Sequence, residues 1–285
     1  MAEAGRLTAP VAAPTISPVT WLRLAIIVGI VAFWEALAAS GLLFRDVVPS
    51  LLAIGSALMR ILTFPDMQWN IDIGWGAFRL IRTVWVPEFY FHVWTTMYEI
   101  GIALVIGGLA GLVVGLTLGA NRFVAKAYEN FLYYLGPTPK IIFFPVMIMW
   151  FGVGPGSKVA MGTISCFFPI ALSAAAGLRQ IDKVLIKVGR SFRVNTWQMV
   201  TKIYLPAMRA PIINGVRLGL GVAVIGTLLA ETKLSNRGVG FLIINAYSTF
   251  NMPRMYALLI LLFVIAIGAN ILVERFGGFH AIRHR

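Results

Sequence analysis

Apolar residues along this chain run in long unbroken blocks rather than in a short alternating period. Leu24–Gly41 contains one ionisable residue, Glu35, and Ile100–Leu118, Val159–Leu178 and Met255–Val273 contain none. Two further blocks are each interrupted once, Phe131–Phe151 by Lys140 and Pro211–Leu229 by Arg217. About 20 apolar residues cross a bilayer as a helix, whereas barrel strands are half as long and alternate in polarity. The pattern therefore predicts an all-α, polytopic membrane protein with six transmembrane helices. Between the first two spans, residues 44–92 are rich in Trp, Phe and Pro. There Val48–Leu62 reads as an amphipathic helix and Pro87–His92 as the interfacial approach to the second span. The chain divides into an Ala/Pro-rich, disordered tail over 1–20, a first helix with an extracytoplasmic segment over 21–92, a main transmembrane domain over 93–275 carrying a polar loop at 179–209, and a C-terminal tail over 276–285. The first 20 residues lack the compact charged start and cleavage pattern of a signal peptide.

Composition narrows the class. With 59% hydrophobic and 12% charged residues, an ordinary soluble domain is excluded. The net charge of +13 does not point to nucleic acid, because no basic, stacking-rich soluble domain exists to carry it. It follows the rule that cytoplasmic loops collect Lys and Arg. Arg6, Arg23, Arg122, Lys126, Arg275, Arg283 and Arg285 fall on one side if both termini are cytoplasmic. Loop 179–209 joins them with seven basic residues against Asp182. Segment 44–92 is balanced, and only Lys233, Arg237 and Arg254 in the last outer loop run against the rule. The chain is thus expected to be a multi-pass inner-membrane protein. Its single cysteine, Cys166, lies inside a span and builds no disulfide framework.

The spans carry three features. Gly107, Gly111, Gly115 and Gly119 recur every four residues, a stripe suited to close helix packing in lipid. Pro137, Pro139 and Pro145 break the third apolar block, and irregular backbone at membrane depth is tolerated where it is buried in protein or lines a cavity. Lys140 lies among these prolines, and an ionisable residue inside a membrane segment is a functional candidate by default. Lys140, Pro145, Met147, Trp150 and Glu231 are accordingly the candidate lining of a translocation pathway. Against this, Glu35, Glu99 and Glu231 each read more readily as structural groups that need partners.

Catalytic chemistry is missing. His92, His280 and His284 have no cysteine or carboxylate at metal-ligand spacing. The stretch GVGPGSKV, residues 152–159, lacks the Gly-Lys-Ser/Thr end of a phosphate loop. No nucleotide hydrolysis, cofactor or metal is expected on this chain.

The polar loop has its own design. Val184, Leu185, Val188 and Phe192 share one helical face and Lys183, Lys187 and Arg190 the other. Asn195 is a good N-cap with Gln198 in capping-box position. A second short helix is expected over Thr196–Tyr204, with a bend near Arg193–Thr196 and a stop at Pro206. Helices this short need something to dock on.

At this point the sequence resembles the binding-protein-dependent ABC importer permeases. Their cytoplasmic motif is Glu-Ala-Ala, three residues, Gly, nine residues, Ile-x-Leu-Pro. The same spacing here places Lys187, Val188 and Gly189, then Arg193, then Ile203, Tyr204, Leu205 and Pro206. The hydrophobic and proline end matches, whereas Lys187, Val188, Gly189 and Arg193 depart from the motif. TPKIIFFPVMIMWFGVG, AAAGLRQID, LPAMRAPIINGVRLGLGVAVIGTLLAE and NRGVGFLI resemble further family segments, with the nitrate, sulfonate and taurine branch nearest. Glu99 departs from that branch, which often carries a basic residue there. The resemblance implies that the two short helices are coupling helices, working through Lys187, Val188, Gly189, Arg193, Trp197, Ile203, Leu205 and Pro206. They would dock on a separate ATPase dimer that binds ATP and Mg. It also implies a solute-binding protein outside, a second permease copy, a homodimer, and alternating access for a small solute, possibly an anion. The competing readings are a membrane-embedded enzyme, which needs an intramembrane catalytic cluster, and a self-contained carrier or channel, which needs inverted repeats or a chain of acids.

Overall fold

The computed structural model describes residues 18–41, 47–75 and 78–276. Most of the proposed tails, 1–17 and 277–285, lie outside the described residues, and Pro18–Thr20 already belong to the first helix. In chain order the elements are α1 Pro18–Ser40, α2 Leu51–Thr63, β1 Met67–Trp75, β2 Phe78–Val86, α3 Glu88–Ala120, α4 Arg122–Leu135, α5 Phe144–Phe151 and α6 Pro155–Arg179. They continue as α7 Lys183–Ser191, α8 Thr196–Gln198, α9 Leu205–Ala207, α10 Arg209–Lys233, α11 Val239–Ser248 and α12 Met252–Phe276. Among the described residues, five helices (α1, α3, α6, α10 and α12) are long and apolar enough to cross a membrane. A sixth span arises if α4 and the Lys140–Phe151 segment are taken together, although they bend by 93° at the break.

That bend is where the prolines put it. Gly136 to Pro139 interrupt the helix, Lys140–Phe143 form a single 3-10 turn, and Pro145 sits in the first turn of α5, where a missing N–H costs nothing. The third apolar block is therefore two helices at nearly a right angle, and its first helix starts at Arg122 rather than Phe131.

The bundle core is α3, α6 and α10. Ile100, Cys166, Ile170, Leu220 and Ala223 form one buried cluster at its centre. The glycine stripe of α3 faces α6. A methyl group at Gly111 would lie 2.8 Å from the Phe167 carbonyl, and one at Gly119 would lie 2.7 Å from Leu178 Cβ. Without a hydrophobic drive between helices in lipid, such backbone approach supplies the packing energy.

The expectation of an all-α chain is corrected at residues 67–86. β1 and β2 form an antiparallel hairpin in which Trp69 pairs with Val84 and Ile73 with Leu80. Its sequence alternates Gln68, Asn70 and Asp72 with Trp69, Ile71 and Ile73, the period of a strand. A search for 20-residue apolar blocks passes over an alternation this short. Just before the hairpin, α2 occupies the expected amphipathic segment, with Ser50 as its N-cap.

The first helix is tied to this outer layer by polar contacts. Trp34 Nε1 donates to the Pro49 carbonyl at 3.0 Å, and Glu35 Oε1 accepts from the Leu51 amide at 2.7 Å. Glu35 thus satisfies an exposed N–H at the start of α2.

Candidate functional site

Two regions concentrate the polar chemistry. The first is the loop between α6 and α10. Asp182 caps α7 by accepting from the Val184 amide at 2.8 Å. The capping box at α8 is complete: Gln198 N donates to Asn195 Oδ1 at 2.8 Å and Asn195 N donates to Gln198 Oε1 at 3.1 Å. Between the helices, Arg193 takes a left-handed backbone with φ of 51°. This is the position where the family motif has glycine, the residue that adopts that conformation without strain. The chain makes the same turn with an arginine.

Gly189 has a local reason of its own. It is buried where α7 crosses the following helix, and an added methyl group would lie 3.0 Å from Met199 Cε and 3.1 Å from its sulfur. At this position, where the motif has alanine, a methyl group would require Met199 and Ile203 to shift.

One expectation for the loop is overturned. Pro206 does not stop the second helix. Met199–Tyr204 form a π-helix that leads directly into α9, and the break comes at Met208, just before α10. A proline ring collides with the carbonyl four residues earlier in an α-helix. The wider π turn leaves room for it.

The outer faces of these helices are apolar and open. Val184 is 60% exposed, Val188 45%, Phe192 79% and Trp197 74%. The opposite side is anchored: Ile186 and Tyr204 pack with buried Leu178, Ile181 and Met208. Lys187, Lys202 and Pro206 are exposed, while Ile203 and Leu205 are half-buried.

The second region lies at the other end of the bundle. The first amides of α11 are held by side chains from α3 and α10. Gly238 N donates to His92 Nδ1 at 2.9 Å, Val239 N to Thr96 Oγ1 at 2.9 Å and Gly240 N to Glu231 Oε2 at 2.7 Å. Thr96 in turn donates to Glu231 Oε1 at 2.7 Å. His92 contacts Glu88, which pairs with Arg254 at 3.3 Å. Glu231 is fully buried and acts as a helix-capping carboxylate rather than an open pathway group.

Sequence reasoning missed Lys158 at this end. It is 1% exposed and donates to the carbonyls of Leu234 at 2.9 Å, Gly154 at 3.1 Å and Val153. Glu99 is buried with one carboxylate oxygen lacking a hydrogen-bond partner among the described residues, as does the hydroxyl of Thr227. The available signal was arithmetic: two buried acids at the ends of apolar blocks need a cation at the same depth, and Lys158 starts the neighbouring block.

The remaining expected pathway residues separate. Lys140 donates to the Gly136 carbonyl and lies 5.2 Å from the centre of the Phe168 ring. With Thr138, Ser165 and Ile225 it lines a cavity of about 200 Å³. Pro145 and Trp150 are exposed, Trp150 at 72%, whereas Met147 is packed with Phe144, Met161 and Ala230. Among the described residues no group of three metal-binding side chains occurs.

Comparison with known proteins fits this geometry. The family described as "Binding-protein-dependent transport system inner membrane component" matches residues 103–279. The aliphatic sulfonates transport permease protein SsuC of Bacillus subtilis is 26% identical over 236 residues, 83% of this chain and 78% of that one. The taurine transport system permease protein TauC of Escherichia coli is 28% identical over 193 residues, 66% of this chain and 70% of that one. Among solved structures, an inward-facing MetNI methionine ABC transporter chain shares the fold, with a TM-score of 0.59 and 21% identity over 67% of this chain and 96% of that one.

Proposed function

The chain belongs to the binding-protein-dependent transport system inner membrane components, the permeases of ABC importers, and on that premise we propose that it forms the pathway for a small anion and is driven by a separate ATPase. In this reading α4 and the Lys140–Phe151 segment make one broken span. Six spans then place both termini and loop 179–209 in the cytoplasm, in line with the loop's positive charge. α7 and the helix from Thr196 to Ala207 are the coupling helices.

The outward apolar stripe of α7 carries the proposal. Val184, Leu185, Val188 and Phe192 are exposed on a helix whose other side is anchored to the bundle. An amphipathic helix with its apolar face open fits a groove on a partner protein. That partner is the ATPase dimer, which holds the ATP and Mg. Its closure moves the loop, and rigid-body rearrangement opens the pathway alternately to each side. A solute-binding protein delivers substrate from outside. A second copy of this chain completes the pathway as a homodimer.

The anion class rests on relatives that carry sulfonates, taurine and nitrate in their names, and on Lys140 in its cavity. Lys140, Pro145 and Trp150 are assigned to the pathway wall, with Met147 and Glu231 supporting it from behind. Phe192→Asp tests the coupling assignment, because Phe192 is exposed and its replacement leaves the fold intact. The variant is expected to lose copurification with the ATPase subunit and to lose transport. Unchanged ATPase recovery together with unchanged transport would sink the coupling assignment and favour a self-contained carrier.

A further inference from the structure

A concave basic site lies beside α7 and is used by none of the functions above. It is a cavity of about 660 Å³ between the end of α3, the start of α4, the end of α6 and the start of α7. Four cations line it, Arg122, Lys126, Arg179 and Lys183, against a single acid, Glu129. That acid is already committed. Arg179 holds it with two parallel hydrogen bonds, Nη1 to Oε1 at 2.9 Å and Nη2 to Oε2 at 2.6 Å. Asp182, the nearest other acid in sequence, is occupied in capping α7 and does not line the cavity. Arg122, Lys126 and Lys183 therefore converge from two helices on one space with no carboxylate partner among the described residues.

The floor of the cavity is apolar. Leu118 and Leu178 are buried beneath it, and Ile181 and Ile186 form one wall. Three cations without a carboxylate partner among the described residues, over an apolar floor, match a group that is anionic at one end and apolar at the other. Basic pockets between membrane helices bind phospholipid headgroups in this way. A free ion would leave the apolar floor unused.

We propose that this cavity binds a phosphate ester, supplied as the headgroup of an anionic phospholipid. The phosphate would sit between Arg122, Lys126 and Lys183, and the glycerol and first methylenes would cover Leu118 and Leu178. Because Lys183 is the first residue of α7, the bound lipid would tie the start of that helix to α4.

Binding can be measured on the purified full-length chain in detergent, by native mass spectrometry and by thermal shift. The probes are short-chain phosphatidylglycerol, phosphatidylcholine and inorganic phosphate. Phosphatidylglycerol is expected to be retained and to raise Tm, while phosphatidylcholine is not. Inorganic phosphate should compete only at far higher concentration; competition at the same concentration as the lipid would overturn the lipid source in favour of a free phosphate. Arg122→Gln with Lys126→Gln should weaken phosphatidylglycerol binding about 30-fold, from about 1 kcal/mol for each removed cation. Lys183→Gln alone, on a different helix, should weaken it about fivefold on the same scale. Lys202→Gln removes a cation of the same loop outside the cavity and should leave binding unchanged. Equal retention by wild type and the double variant, or an equal loss with Lys202→Gln, overturns the proposal. The assay needs no ATPase, so its outcome is independent of the coupling assignment.

Discussion

The α3–α6–α10 core and the loop from Lys183 to Ala207 solve opposite problems. In the core the polar groups are met from inside: glycines bring backbones together, and buried Glu231 and Lys158 bond to neighbouring backbone groups. In the loop the starts of α7 and α8 are capped, yet the large apolar side chains Phe192 and Trp197 stay in the open. A region that satisfies its own hydrogen bonds while leaving its grease exposed is already folded and still lacks a partner. The core is built for lipid, where nothing outside can satisfy a polar group. In the proposed function, the loop's open apolar face is what a second protein would cover.

Substitutions can break this contrast. Lys158→Ala removes a buried cation that donates to three carbonyls at the same end of the bundle as Glu99 and Glu231. Stripping one side of a buried charge cluster costs about 3–5 kcal/mol, so the variant should unfold in detergent well below the wild-type midpoint. Adding Glu231→Gln to it should recover part of the loss, with the coupling read from a double-mutant cycle. Gly111→Val comes next. Its side chain would meet the Phe167 carbonyl, and overpacking of this kind costs about 2–3 kcal/mol, measurable as a lowered Tm with α3 and α6 forced apart.

In the loop the expected effects are smaller. Asn195→Ala removes the cap of α8 at about 1 kcal/mol, visible as faster amide exchange over 196–204 with the spans unaffected. Arg193→Gly runs the other way. Relief of the left-handed arginine outweighs the added freedom of glycine in the unfolded chain, a gain of about 0.5–1 kcal/mol, seen as slower exchange at the same turn. If Arg193→Gly proved as damaging as Lys158→Ala, the view of the loop as a loosely coupled outer element would fail.

The two regions were not equally legible in the sequence. The capping box at Asn195 and Gln198 and the four-residue glycine register are local patterns, set by helix geometry alone. Both read directly from neighbouring residues. Lys158 could not be assigned this way, because Leu234, whose carbonyl it holds across the bundle, is distant in sequence, and no period links them. The residues that hold the start of α11, His92 and Thr96 from α3 and Glu231 from α10, escaped for the same reason. Pro206 was misread for a different cause. The rule that a proline ends a helix assumes α geometry, and Met199–Tyr204 avoid the clash by widening the turn. The 67–86 hairpin was obscured by its composition, since tryptophans and isoleucines there look like any membrane-interface segment. The broken third span, in contrast, was plain from three prolines within nine residues.

One feature of the loop reaches beyond it. The π turn at Met199–Tyr204 and the short α9 hand the chain to α10 with a break of a single residue, Met208. Twenty-five residues of helix make a stiff rod of about 37 Å, with Arg209 at one end and Glu231 near the other. For such a rod, each degree of tilt at the loop end sweeps the far end through about 0.6 Å. A fraction of an ångström there is comparable to the tolerance of the hydrogen bonds that seat α11 on Glu231. In the proposed coupling, α10 would therefore act as a lever between the loop and the seat of α11, with a reach set by its number of residues.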